Sequence, residues 1–427
     1  MIVLPTAGHG GCEYNALSFG AYVAREIGFD VVACFPAGPA TAFLSSLAAG
    51  AGLREHTLPL SFDADDDAGR LEAQRVWSLA AADEIRPSAV FLAMPWPARG
   101  TGLIGGFAQA GVPTLVKFAL VPEELHGPPA EILPALRSAL ERQVWFANSR
   151  HSAALLARHL TLPEGSVDAF HVGPIGLKAL TPELAGHRDD RSALRASFGA
   201  EDRLLVTTVA RLADQKGYRH YLDAVAAVAH RGDLRLRFLW VGEGELRCEL
   251  EDGIAARRLG ESILMAGFRS DVRAILRASD VFVLPTLYEG GCSQALLEAM
   301  EEGVPAIVSG LPGVREVVED GRDALLVEPG SASALADALS RLASDGGLRQ
   351  RLAAAGRERA GHLTPEVTYA HTLQRLDRLL GTNYHRHPSL PSLPPKDRVS
   401  GALTGKAPAC APPGTLRSLL RRFTQTS

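Results

Sequence analysis

Short apolar runs alternate with longer stretches whose apolar positions recur three and four residues apart. The short runs, bounded by turn residues, read as buried parallel strands, and the longer stretches read as amphipathic helices. In the first part of the chain this pattern predicts strands at 2–5, 30–34, 88–93, 113–118, 144–147 and 167–171, with helices such as 14–27 and 68–84 between them. In the second part strands at 203–209, 235–241, 262–266, 280–284, 305–308 and 324–327 alternate with helices near 217–230, 244–258, 270–277, 293–302 and 331–343. Such alternation builds doubly wound parallel sheets. It occurs twice, so two similar α/β domains are expected, over 1–177 and 178–364.

Between them, Gly176 to about Arg203 is polar and turn-rich, with the charged run His187-Arg-Asp-Asp-Arg191, and reads as a linker with a lead-in helix. Pro365 opens a closing helix that Gly381 ends, and this helix could pack back on the first domain. From 382 to 427 a Pro-, Ser-, Lys- and Gly-rich tail cannot offset the entropy of ordering, so disorder is expected. Leu416 to Phe423 is apolar and basic at helical spacing but about two turns long, and reads as a frayed terminus rather than a membrane-surface helix.

A chain of 427 residues exceeds one ordinary core at roughly 150 residues per domain. The net charge of −4 argues against a general nucleic-acid binder. Five cysteines, odd in number and without a CxxC, fit a reducing cytoplasm rather than a disulfide framework or a zinc site. The opening Met1-Ile-Val-Leu-Pro-Thr has no basic leader pattern, and no apolar run reaches the ~18 residues that span a bilayer. These features predict a soluble, cytoplasmic protein, with membrane contact at most peripheral, at the inner face.

Candidate chemistry gathers after strands. Val209-Ala-Arg-Leu-Ala-Asp-Gln-Lys-Gly217 puts Arg211 and Lys216 in a loop between a strand and a helix start. Ligands bind at that edge of a parallel sheet, and the two bases could hold phosphate; an ordinary surface loop is the plainer alternative. Thr286-Leu-Tyr-Glu-Gly-Gly-Cys-Ser-Gln-Ala-Leu-Leu-Glu-Ala-Met300 repeats the context with Glu289 among glycines and Glu298 at the head of an apolar helix. Acids that can hold sugar hydroxyls, beside bases that can hold a diphosphate, point to a sugar nucleotide. Val241-Gly-Glu-Gly-Glu245 offers Gly242 and Gly244 for close backbone approach, though a plain turn explains them nearly as well. In Ala266-Gly-Phe-Arg-Ser-Asp271, Phe268 could border a nucleobase and Asp271 is expected to cap the following helix. Gly310-Leu-Pro-Gly313 precedes a helix with Glu316. Gly8-His-Gly-Gly11 with Glu13 departs from the Gly-x-Gly-x-x-Gly fingerprint and reads better as a phosphate cradle facing the second domain, or as a tight turn. Asp63-Ala-Asp-Asp-Asp67 reads as solvated charge at a helix start rather than a metal site. Trp96 could line an acceptor pocket or anchor its loop.

With these motifs the chain resembles retaining glycosyltransferases of the two-domain GT-B type, in the large family four. The resemblance is strongest over 203–330, fair over 1–34 and 144–177, and fades over 35–143. It implies two Rossmann-like domains facing a central cleft, and transfer of a sugar from a nucleoside-diphosphate sugar to a hydroxyl acceptor with retention and without a metal or other cofactor. The acceptor, a glycan, lipid-linked or small molecule, would lie on the 1–177 side. It implies a diphosphate role for Arg211 and Lys216, and places Glu289 near the donor sugar and Glu298 near the ribose. Phe268 would be a nucleobase wall and Gly10-Gly11 a phosphate loop, with Gly290, Gly291, Cys292 and Ser293 in the donor loop. Two departures stand out. Eight residues (290–297) separate the two acids where the family has seven, and Ala119 stands near the family's histidine position, with Lys117 and His126 as candidate substitutes or structural residues. They leave open a catalytically silent module acting as a partner or regulatory subunit; a sugar-nucleotide epimerase or a phosphorylase on the same fold is the other alternative.

Overall fold

A computed structural model of the chain describes residues 1–391 except 9, 40, 124–132, 141, 172, 174–190 and 231–234. His126, the charged run at 187–191 apart from Arg191, and the segment from Leu416 to Phe423 lie outside the described residues.

Two all-parallel sheets carry the fold. The first lobe is built on β1 (Ile2–Val3), β2 (Val32–Phe35), β3 (Arg54–Thr57), β4 (Val90–Met94), β5 (Thr114–Phe118), β6 (Gln143–Ala147) and β7 (Val167–Ala169), in the order β3-β2-β1-β4-β5-β6-β7. The second is built on β8 (Leu204–Val209), β9 (Leu236–Val241), β10 (Ile263–Gly267), β11 (Val281–Leu284), β12 (Ala306–Ser309) and β13 (Leu325–Val327), in the order β10-β9-β8-β11-β12-β13. Six of these strands (β1, β2, β4, β5, β11 and β12) are buried from end to end and the others, β3 apart, have no exposed position, so their sequences are mostly apolar runs rather than alternations. The exception is β3, Arg-Glu-His-Thr, which the apolar pattern does not reveal because it is a largely exposed edge strand held by its pairing with β2. In each sheet the strand order reverses once, between β1 and β4 and between β8 and β11. Crevices at the carboxyl ends of strands open at such reversals, and the loops that follow β1, β8 and β11 carry the candidate chemistry.

The two lobes pack into one compact unit. A helix over Pro365–Leu380 starts at a Thr364 cap and runs back onto the first lobe, where Tyr369, Leu373 and Leu376 enter its core. Tyr369 stacks on Tyr22 with ring centroids 4.8 Å apart, its hydroxyl bonds that of Ser18, and Arg375 pairs with Asp168 at 3.2 Å. Residues 382–391, assigned by composition to a disordered tail, are placed instead. The Asp377 carboxylate accepts from Tyr384 N at 2.9 Å and His385 N at 2.8 Å, and the Tyr384 ring meets Phe29 edge-on at 4.9 Å. One buried acid and one aromatic ring outweigh a tail-like composition.

The acid run before the Ala68–Ile85 helix also differs from expectation. Asp67 caps that helix through Arg70 N at 2.8 Å, but Asp66 is not a solvated charge. It accepts from Gly100 N at 3.1 Å, Thr101 N at 2.8 Å and Gln74 Nε2 at 2.6 Å, and so holds the loop beyond β4 that includes the half-buried Trp96. Among the described residues no helix is long and apolar enough to cross a membrane.

Candidate functional site

The carboxyl end of β8 leads directly into Ala210 and the exposed Arg211. This loop is fixed from behind by the turn after β9. Leu212 N donates to Glu243 O at 2.9 Å, and Leu246 N donates to Leu212 O at 2.9 Å. Gly242 has φ +142, and a Cβ there would stand 2.0 Å from Ala210 O; one on Gly244 would stand 2.4 Å from Leu212 O. Both glycines are therefore placed against the backbone of the Arg211 loop, which they shape from beneath.

Lys216 ends a single 3-10 turn, Asp214–Lys216, that follows Arg211. Its Nζ donates to Glu289 Oε2 at 2.5 Å, and the two side chains retain 14% and 19% of their exposure. A largely desolvated pair of this kind is weak evidence of net stability, but it brings the loops after β8 and β11 together. Glu289 and Ser293 also border a cavity of about 10 Å³ beneath the loop, together with Thr286 and Ser309, whose buried hydroxyls have no partner among the described residues.

The glycines after Glu289 face the other lobe. A Cβ on Gly290 would stand 2.1 Å from Ala119 O, and one on Gly291 would stand 2.8 Å from Asn148 O. Gly290 O accepts from Ser149 Oγ at 2.7 Å and from Ser152 Oγ at 2.6 Å. Burial pushes the Cys292 thiol well above its ordinary range, with Glu289 adding to the shift. Ser293 stands at the N-cap of the Gln294–Glu301 helix without a side-chain cap bond. Glu298 lies in the second turn of that helix rather than at its head, so the amino-terminal dipole offers it little. Burial raises its pKa to about 7; Arg273 opposes the shift, and Glu301 and Glu302 add to it.

On the first lobe, Gly10 and Gly11 stand at the start of the Gly11–Tyr22 helix, in the loop that follows β1. A Cβ on Gly11 would stand 2.9 Å from Gln294 Cγ of the second lobe. Beneath this loop lies a buried layer. Glu13 is 4% exposed and its pKa is raised by burial, while Lys117 is 2% exposed and its pKa is lowered by burial. Lys117 Nζ donates to Asn15 Oδ1 at 2.7 Å, which makes it a buried support of the helix start. Phe268 is 54% exposed and meets Phe43 of the first lobe edge-on at 5.8 Å. Asp271 occupies the N-cap position of the Val272–Ala278 helix but makes no side-chain cap bond there, because its carboxylate pairs with Arg269 at 2.5 Å.

The geometry therefore brings together Arg211, Lys216, Glu289, Ser293 and the Gly10-Gly11 loop at the facing strand ends. Gly242 and Gly244 lie behind them, and Gly290 and Gly291 lie in the contact between lobes. Among the described residues no group of three or more His, Cys, Asp or Glu is placed to hold a metal ion. Sequence reasoning missed Ser149 and Ser152, and gave Glu316 no partner. Glu316 accepts from Arg150 N at 3.0 Å, His151 N at 2.9 Å and His171 Nε2 at 3.2 Å, thereby capping a first-lobe helix from the second lobe. Burial alone would raise its pKa, but His171 and the two backbone donors hold it down at about 2. The available signal was Ser149 directly before the helix, a favoured N-cap residue whose reach to the other lobe is not written in it.

Known proteins resemble this chain over part of its sequence and in its fold. Residues 203–345 match the family described as Glycosyl transferases group 1. The alpha-D-kanosaminyltransferase of Streptomyces kanamyceticus is 34% identical over 165 residues, which cover 38% of this chain and 42% of that enzyme. The chain covers about half or less of the length of the curated relatives it matches. Among solved structures, a glycosyltransferase from Rickettsia africae superposes with a TM-score of 0.72 at 14% identity, covering 90% of this chain and 98% of that one. Anabaena HepE in complex with UDP-glucose superposes with a TM-score of 0.71 at 17% identity, covering 88% and 99%. At such identities the likeness establishes the fold, which is GT-B. The match to the glycosyl transferases group 1 covers residues 203–345, less than half of the chain.

Proposed function

We propose that this protein is a glycosyltransferase that moves a sugar from a nucleoside-diphosphate sugar to a hydroxyl acceptor with retention of configuration and without a metal ion, in the cytoplasm. The observation that carries the reading is the Lys216–Glu289 pair at the carboxyl edge of the second sheet, with Arg211 exposed beside it. A donor diphosphate seated there would draw Lys216 from Glu289 and meet Arg211. Both cations, with the dipole of the Gly11–Tyr22 helix, would then neutralise the charge that builds on the leaving diphosphate. Glu289, released from its ion pair, would be free to accept hydrogen bonds from the donor sugar. Glu298, its pKa raised by burial to about 7, could donate to a ribose oxygen in its protonated form as well as accept. Phe268 would flank the base. Gly242 and Gly244 would serve the donor through the Arg211 loop, and Gly290 and Gly291 through the placement of Glu289. The acceptor, a glycan, lipid-linked or small-molecule alcohol, would enter from the first lobe. UDP-glucose is the donor to try first, because it is bound in the Anabaena relative.

Replacement of Arg211 by alanine tests this reading. Loss of one such contact should lower kcat about 100-fold, measured as donor consumption with a panel of alcohol acceptors. Transfer at the wild-type rate would remove Arg211 from the machinery. The anomeric coupling constant of the product checks retention, and assay with and without EDTA checks independence of metal.

A further inference from the structure

The loop that carries Glu289 is held from the opposite lobe. Ser149 and Ser152 are fully buried, and their hydroxyls both donate to Gly290 O, at 2.7 and 2.6 Å. A carbonyl oxygen has two lone pairs, and both are engaged here. The peptide immediately after Glu289 is thus fastened by two bonds whose donors lie 141 and 138 residues away in the chain. The donors are themselves fixed. Ser149 Oγ accepts from Ser152 N at 3.0 Å, and Glu316 occupies the backbone N–H groups of Arg150 and His151 at the start of the Arg150–His159 helix. The amino end of that helix therefore grips the second lobe at two points, the Gly290 carbonyl and the Glu316 carboxylate. On its other side the Glu289 loop is anchored by Lys216 from its own lobe.

We infer that Ser149 and Ser152 are positioning residues for Glu289, setting the acid against the donor sugar while the lobes are docked. The inference rests on the reading of Glu289 as the acid beside the donor sugar. Nucleoside-diphosphate binding is served by Arg211 and Lys216 and does not need the serines. The transfer step does, because displacement of a reacting group by about 1 Å can cost on the order of 100-fold in rate.

The test uses the full chain and three variants, S152A, S152T and the double variant S149A/S152A. S152A keeps the Ser149 cap and one of the two bonds to Gly290 O. Affinity for UDP, GDP and ADP is measured by calorimetry, and turnover of their glucose conjugates is measured as transfer or as slow release of free glucose. The expected result is diphosphate affinity within about twofold of wild type, with kcat lowered about tenfold in S152A and about 100-fold in the double variant. S152T, which restores the hydroxyl, should recover most of the rate. Unchanged kcat in both alanine variants beside an active wild type overturns the inference alone. Affinity and kcat falling in the same proportion also overturn it, since the serines would then serve general packing. A wild type that binds no diphosphate and turns over no donor removes the glycosyltransferase reading, and this inference with it.

Discussion

The tripeptide Gly-Gly-Cys occurs at residues 10–12 and again at 290–292. Each copy follows a buried strand and leads into a helix, yet the two pack in opposite senses. A Cβ on Gly10 would find Glu13 Oε2 at 3.7 Å, an ordinary contact, whereas one on Gly290 would overlap Ala119 O at 2.1 Å. In the first loop Gly10 leaves room in front of a helix start, while Gly11 meets only a flexible side chain, Gln294, of the second lobe. In the second it lets the backbones of two lobes touch. The same letters thus serve two physical needs, open space before a helix and closeness of chain to chain, and only the neighbours tell them apart.

Substitutions can break or sharpen that contrast. The largest effect is expected for Gly290→Ala, because the added methyl meets a backbone carbonyl that can yield only if the lobes separate. It should destabilise by about 3 kcal/mol in a urea melt; a melt matching wild type would erase the distinction between the loops. Glu316→Gln removes the charge that caps the first-lobe helix, and should cost about 2 kcal/mol at pH 7. The native pKa of Glu316, about 2, lies below its ordinary 4.5. Its contribution is therefore full above 4.5 and is lost as pH falls toward 2, so the gap between variant and wild type should narrow in melts at pH 3.

Glu298 has the opposite sign, since its native value of about 7 lies above the ordinary 4.5. Its native form binds the extra proton, so stability from this group declines as pH rises from 4.5 to 7. Glu298→Gln should therefore melt above wild type at pH 8, by about 1 kcal/mol, and level with it at pH 4, while binding UDP more weakly. Gly10→Ala should shift stability least, within about 0.5 kcal/mol, because its φ of −176 is extended backbone that any residue adopts. Its effect should appear in calorimetry as weakened diphosphate binding. If Gly10→Ala unfolds the protein while Gly290→Ala does not, the assignment of the two loops is reversed.

Much of this architecture was legible in the sequence because buried parallel strands leave continuous apolar runs. The strands of both sheets lie within a few residues of the positions the pattern predicts, apart from the polar edge strand Arg54–Thr57. The Arg211, Lys216 and Glu289 loops were visible because charge directly after an apolar strand has little packing role. What stayed hidden was contact between residues far apart in the chain. Ser149 reaches Gly290 across 141 positions, and Glu316 reaches Arg150 across 166. Nothing local distinguishes such a serine from any other helix cap. Asp271 shows the converse case: its sequence position suits a cap, and a nearby guanidinium takes its carboxylate instead.

The returning helix Pro365–Leu380 has a consequence for synthesis. Ser18 and Tyr369 meet across 351 positions, and Tyr369, Leu373 and Leu376 belong to the core formed by the first strands. Ribosomes deliver roughly 5–20 residues per second, so the amino-terminal sheet, whose last strand ends at Ala169, waits roughly 10 to 40 seconds, by the same rate, for its last wall. During that interval Tyr22, Phe19 and Phe170 lack the side chains that cover them in the finished molecule. The first part of the chain to be made is thus among the last to be completed, and the nascent protein depends on whatever shields that open apolar face until translation ends.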